Sequence, residues 1–394
     1  MALRYAASET GGVAERASER AASERVASET GGGRPQTGLV TRDLRALPKA
    51  HLHVHVESTV RPATLRELAA AHGLPAPELV GGFAGFRAFA GFRAFAEHNG
   101  LIRACLRRPE DFVRIGREYC EDEAAQGVGY AELTFTAASH EERLGRPDMP
   151  LAALLRGLAE GSAATGLEYR VLLDHSRRQS VARAWRTLEL ARRYADRGVI
   201  GIGLAGDESY PLAPFAEVCA AAEHEGLHRV HHAGEAAGPG GIREALGAGR
   251  AERLGHGIRI LDDPALVAEV AARGVPLEVC PSSNVALGLA PSWPEHPLPR
   301  LRAAGLAVTL NTDIPVSLGV TLSEEYALAR DTFGYSDEVL AELASASVAA
   351  SFAPESTKRR LRAGIATWLA TPAGHAGTGP ELTTPPPARS WLRP

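Results

Sequence analysis

Three histidines and a glutamate occupy alternate positions in His51-Leu-His53-Val-His55-Val-Glu57. Side chains alternate along an extended strand, so this spacing puts all four on one face. Two imidazoles two apart on a strand can grip one metal ion. Zinc, iron and nickel suit such nitrogen ligands, and a carboxylate can complete the set. Core packing accounts poorly for three histidines on one apolar run; His51, the deepest, is read as structural support. His231-His232-Ala-Gly-Glu235 ends a second run with a histidine that can be a further ligand. Glu235 then falls in the following loop, where partial desolvation would suit it to general acid–base work. His256 lies between Gly255 and Gly257, which let backbone and ligand approach closely. It can orient a water on the metal or be a satisfied core histidine. Asn311-Thr-Asp313 follows a further apolar run; Asp313 can bind metal and take a proton from water, or merely cap a helix. Together these residues describe metal-assisted hydrolysis, without saying which ring or ester is attacked.

The elements that must position them are eight short β-like runs. They are 50–56, 128–136, 169–174, 199–205, 229–233, 253–257, 276–280 and 307–311, with amphipathic helical stretches such as 183–195 and 264–273 between. Strands alternating with helices imply parallel pairing. Eight such units predict an α/β fold, a (β/α)8 TIM-like barrel with extra helices after the first strand. Nearly every reactive residue falls at the C-terminal end of a strand, the face on which barrel active sites form. A doubly wound open sheet would predict a glycine-rich phosphate loop after the first strand, and none is there.

The 394 residues suffice for one barrel-sized domain. Residues 1–40 read as a disordered low-complexity extension: Ala7-Ser-Glu-Thr-Gly-Gly12 recurs as Ala27-Ser-Glu-Thr-Gly-Gly32, with few large apolar residues to bury. The barrel is assigned to 41–370 and a Pro/Gly-rich tail to 371–394. Gly85-Phe-Arg-Ala-Phe-Ala90 repeats at once as 91–96, and its phenylalanine stripe reads as helix packing, with a lid over the site as the sharper alternative. A net charge of -4 gives nucleic acid or anionic lipid no basic surface. The four cysteines are scattered, without a CxxC pair, which suits a reducing compartment. No apolar run reaches membrane-spanning length and no secretory h-region is visible, so a cytoplasmic location is expected. Lys49 and Lys358 are the chain's lysines.

The sequence resembles the adenosine deaminase family. The resemblance rests on Leu47-Pro-Lys-Ala-His-Leu-His53-Val-His55, Leu204-Ala-Gly206-Asp-Glu208, His232-Ala-Gly-Glu235, Gly255-His256-Gly257, Glu278-Val-Cys-Pro-Ser-Ser-Asn284 and Asn311-Thr-Asp313, in the family's order and spanning about Leu47 to Leu361. It implies one zinc ion held by His53, His55, His232 and Asp313. It implies that Glu235 protonates the ring nitrogen beside the amino-bearing carbon, while His256 and Asp313 hold and deprotonate the attacking water. It also implies sugar contacts at His55 and Glu57, and a purine contact at the Gly206 backbone. The substrate implied is adenosine or a related 6-aminopurine nucleoside, the products being ammonia and the 6-oxo compound. Iron in place of zinc stays open, as does the oligomeric state. Three departures stand out. Ile314 replaces the family's usual second aspartate, which bonds the purine N7; Ser58 stands where glycine is usual; Thr134 stands where arginine is usual. Ile314 offers no side-chain hydrogen bond, which favours as alternative a deaminase of a modified aminopurine nucleoside, such as aminodeoxyfutalosine or a nucleoside natural product. A two-metal hydrolase is disfavoured, because neither lysine lies near the end of strand four. A non-enzymatic binder is disfavoured because every implied ligand and Glu235 are present.

Overall fold

A computed structural model of the chain describes residues 42–76, 92–146 and 148–373. The N-terminal repeat, most of the C-terminal tail and Phe83, Phe86 and Phe89 of the phenylalanine stripe lie outside the described residues. Eight parallel strands run in sequence order: β1 Lys49–His51, β2 Val128–Phe135, β3 Glu168–Ser176, β4 Val199–Ala205, β5 His228–Ala233, β6 Arg253–His256, β7 Leu277–Val279 and β8 Val308–Leu310. Helices surround them, three among the described residues lying between β1 and β2: Pro62–Ala71, Phe92–Cys105 and Pro109–Ala124. This is the expected (β/α)8 barrel.

Local chemistry sets the helix ends. In Pro264–Arg273, Asp263 accepts from the N–H groups of Ala265 and Leu266, proline opens the first turn, and Gly274 closes the helix in left-handed conformation. The helix predicted at 183–195 forms at Val181–Arg193, with Ser180 capping the N–H of Arg183. In β4, glycine is required by close approach: a Cβ on Gly201 would lie 2.2 Å from the carbonyl oxygen of His228 on β5.

The barrel closes between its first and last strands beyond their regular ends. Asp313 N–H donates to His53 O at 3.0 Å, and His55 N–H to Asp313 O at 2.9 Å. The Asn311 side chain accepts from the N–H groups of Leu52 and His53. Those side-chain bonds take the place of ladder bonds, which is why β1 ends at His51 and not at 56. The single-face expectation also fails for His51, whose Nδ1 meets Glu123 at 2.9 Å and whose Nε2 meets the Thr312 hydroxyl at 3.0 Å. All four cysteines are free and buried. No described helix is long and apolar enough to cross a membrane.

Candidate active site

His53 and His55 leave the end of β1, His232 lies at the end of β5 and Asp313 follows β8. Their ligand atoms all lie within 4.8 Å of one another. Individual separations are 3.2 Å between the Nε2 atoms of His55 and His232, 3.3 Å from His55 Nε2 to Asp313 Oδ1, and 3.7 Å from His53 Nε2 to Asp313 Oδ1. Zinc bonds of about 2.0–2.1 Å in tetrahedral geometry require ligand separations of ~3.3 Å. His53 Nε2 is buried without a hydrogen-bond partner, while its Nδ1 meets Glu278 at 2.8 Å. A carboxylate on one ring nitrogen leaves the other free, as a basic lone pair, for a metal. The three imidazoles and one carboxylate therefore fit a single zinc ion.

Support continues below the quartet. Glu278 also accepts from Arg253 Nε at 2.6 Å, and Arg253 reaches Glu132 on β2. All three side chains are fully buried, and Arg253 also stacks on Phe352. Against burial, Arg253 and His53 hold the Glu278 carboxyl below its usual range. Gly255 is the close neighbour of His53: a Cβ there would lie 2.8 Å from the ring's Cε1. His231 belongs to the core, accepting from Leu204 N–H and meeting Gly249 O.

Glu235 and His256 face the quartet, with Glu235 Oε1 3.6 Å from His256 Nε2. Burial, then the Asp313 and Glu208 carboxylates, push the Glu235 carboxyl well above its usual range. Burial, then His53, pulls His256 down to about 3. The Glu208 carboxylate accepts from the N–H groups of Glu235, Ala236 and Ala237, which fixes the loop carrying Glu235. Ser283 donates to Asp313 Oδ2 at 2.6 Å. His256 and Asp313 both have left-handed backbone, with φ of 65° and 63°. That region is uncommon for residues with a Cβ and clusters at functional sites.

A cavity of about 800 Å³ opens over these groups, with His55, His232, Glu235, His256, Asp313 and Gly206 in its wall. Two residues expected at the substrate stand elsewhere. Glu57 is 1% exposed, is held by His140 Nε2 at 3.1 Å and does not line the cavity. Ile314 is 0% exposed, packs in the core and does not line the cavity either. Asp174, at the end of β3, does line it, is 5% exposed, and its Oδ1 has no hydrogen-bond partner among the described residues. The sequence signal was present, since Asp174 is a strand-end carboxylate like Asp313, but no quoted motif contains it.

The family model for adenosine deaminase matches residues 48–368. The chain belongs to the adenosine deaminase family. It is 39% identical over 338 residues to a putative adenosine/adenine deaminase of Streptomyces coelicolor, covering 83% of this chain and 98% of that protein. It is 36% identical over 351 residues to an aminodeoxyfutalosine deaminase of the same organism, covering 84% and 89%. A solved amidohydrolase of Burkholderia ambifaria with bound zinc superposes with a TM-score of 0.74 at 27% identity, covering 83% of this chain and 94% of that one. Membership makes the protein a metal-dependent hydrolase acting on C–N bonds of aminopurine compounds.

Proposed function

We propose that the protein is a zinc-dependent deaminase that converts adenosine, or a closely related 6-aminopurine nucleoside, to the 6-oxo product and ammonia. The observation that carries this is the facing of Glu235 and His256 against the His53, His55, His232 and Asp313 quartet across one cavity. Bound zinc would supply the Lewis acidity that makes water a nucleophile near neutral pH. Asp313, its Oδ2 held by Ser283, takes the proton of the attacking water. Glu235, whose carboxyl burial pushes well above its usual range, donates to the purine N1, so that C6 becomes electrophilic. His256 holds the attacking oxygen. The Gly206 backbone meets the purine, and His55 and Asp174 face the sugar side, Asp174 standing in for the sequestered Glu57.

A second reading is a modified aminopurine nucleoside as substrate, with adenosine turned over poorly. The replacement of the family's usual second aspartate by Ile314 and the similarity to an aminodeoxyfutalosine deaminase favour it. Ammonia release from zinc-loaded protein separates the two, with adenosine, 2′-deoxyadenosine, adenine, AMP and aminodeoxyfutalosine side by side. Fast adenosine turnover supports the first reading. Turnover of aminodeoxyfutalosine with slow adenosine supports the second. Preference for free adenine over every nucleoside overturns both.

A further inference from the structure

The side chain of Asn284 lies between His256 and His296 and does not line the cavity. Asn284 Nδ2 is 3.2 Å from His256 Nδ1, and its Oδ1 is 3.2 Å from His296 Nε2. The other nitrogen of His296, Nδ1, accepts from the backbone N–H of Leu298 at 3.1 Å. Leu298 opens the helix Leu298–Ala303, so its N–H has no intrahelical partner.

A backbone N–H only donates, and this fixes the direction of every bond in the row. His296 Nδ1 carries no proton, so the proton of that ring is on Nε2. That proton goes to Asn284, whose facing atom must be Oδ1. The Asn284 amide nitrogen therefore points to His256 and donates to Nδ1. A ring that accepts at Nδ1 carries its proton on Nε2. In His256 that is the atom buried without a partner, 3.6 Å from Glu235 Oε1.

We infer that Asn284 and His296 are positioning residues that lock His256 in the Nε2–H tautomer. His256 is thereby a hydrogen-bond donor to the attacking oxygen, and it has no free lone pair with which to take a proton. Proton acceptance falls to Asp313. This rests on the deaminase reading for the identity of the attacked bond, but the tautomer itself does not.

Two measurements on the zinc-loaded full chain test it. The first is nitrogen NMR of histidine-labelled protein, with the His256 signals assigned by their loss in His256→Ala. The expected spectrum has protonated Nε2 and unprotonated Nδ1 for His256 at neutral pH. The reverse pattern overturns the inference whether or not any substrate is known. The second is Asn284→Asp, whose carboxylate accepts but does not donate. The His256 proton is expected to move to Nδ1 and kcat to fall about 100- to 1000-fold with KM little changed, the scale of losing one donor to the developing oxyanion. The main-chain bonds of Asn284 to Cys280, Leu289 and Ala290 survive this change, so the loop is retained. Asn284→Gln is a second variant with the same donor and acceptor, and partial recovery is expected. An unmoved tautomer in Asn284→Asp, or unchanged kcat with the tautomer moved, overturns the assignment.

Discussion

The two sides of the cavity are built differently. On the side of β1, β5, β6 and β8, nearly every polar atom has a partner supplied from underneath. His53 rests on Glu278, Glu278 on Arg253, Arg253 on Glu132, and Asp313 on Ser283. The atoms left over, Nε2 of His53 and of His256, point to where a metal and its water would sit. On the side of β3, Asp174 Oδ1 and His175 Nε2 are buried without hydrogen-bond partners among the described residues. A buried polar group without a partner costs on the order of 1–3 kcal/mol. The first side is organised before anything binds. In the proposed function the second is completed by the substrate.

Glu235→Gln carries the largest expected effect. It removes the transferable proton while keeping the shape, so turnover should fall by roughly 10²–10⁴. Metal analysis should still find zinc, since Glu235 is outside the quartet. Loss of zinc would place Glu235 with the supported groups and blur the contrast.

Arg253→Met comes next and tests the supporting row. It leaves Glu132 and Glu278 buried without their cation, and breaking such an arrangement costs about 3–5 kcal/mol. Urea unfolding should show that loss, together with weaker zinc retention through His53. Unchanged stability would mean the row is not what holds the ligand side.

Asp174→Leu tests the opposite wall. KM for the nucleoside should rise about 10-fold or more, the scale of one hydrogen bond to a charged acceptor. Free adenine, which has no sugar, should be unaffected, and the melting temperature should hold or rise. Equal losses on base and nucleoside would return Asp174 to a structural role.

The smallest effect is general. Burial holds His231 down to about 4 and His296 to about 3. The unfolded chain takes up those protons near pH ~6.5. The stability tied to the neutral rings is therefore complete above that pH and is lost as pH falls from about 6.5 towards 4. Melting curves between pH 7 and 4.5 should show the decline, and His231→Gln should flatten it.

How legible each side was in the sequence follows the same division. The ligand side was readable because its residues come in short runs with strand spacing, as in His53 and His55, or at strand ends, as in Asp313. The exit of β1 was misjudged because the partner that replaces its ladder, Asn311, is 258 residues or more away in sequence. The sugar contact at Glu57 is implied by the resemblance, but His140, 83 residues on, holds that carboxylate, and it does not line the cavity. Asp174 is a strand-end carboxylate like Asp313, but no quoted motif contains it, and its lack of a partner becomes visible only after folding. Asn284 stood in a recognised motif, but its role depends on the direction of a bond from Leu298, which no spacing encodes.

The meeting of β1 and β8 has a consequence in time. His55 leaves the ribosome well before Asp313, on the order of 10–50 s at ordinary synthesis rates. During that interval the first two ligands have no carboxylate to share and the first strand has no second neighbour. Both wants are met by the same short stretch, Asn311 to Asp313, whose backbone closes the sheet at the residues whose side chains complete the quartet. Barrel closure and completion of the proposed metal quartet thus fall together, late in synthesis, and a nascent chain released before residue 313 lacks both.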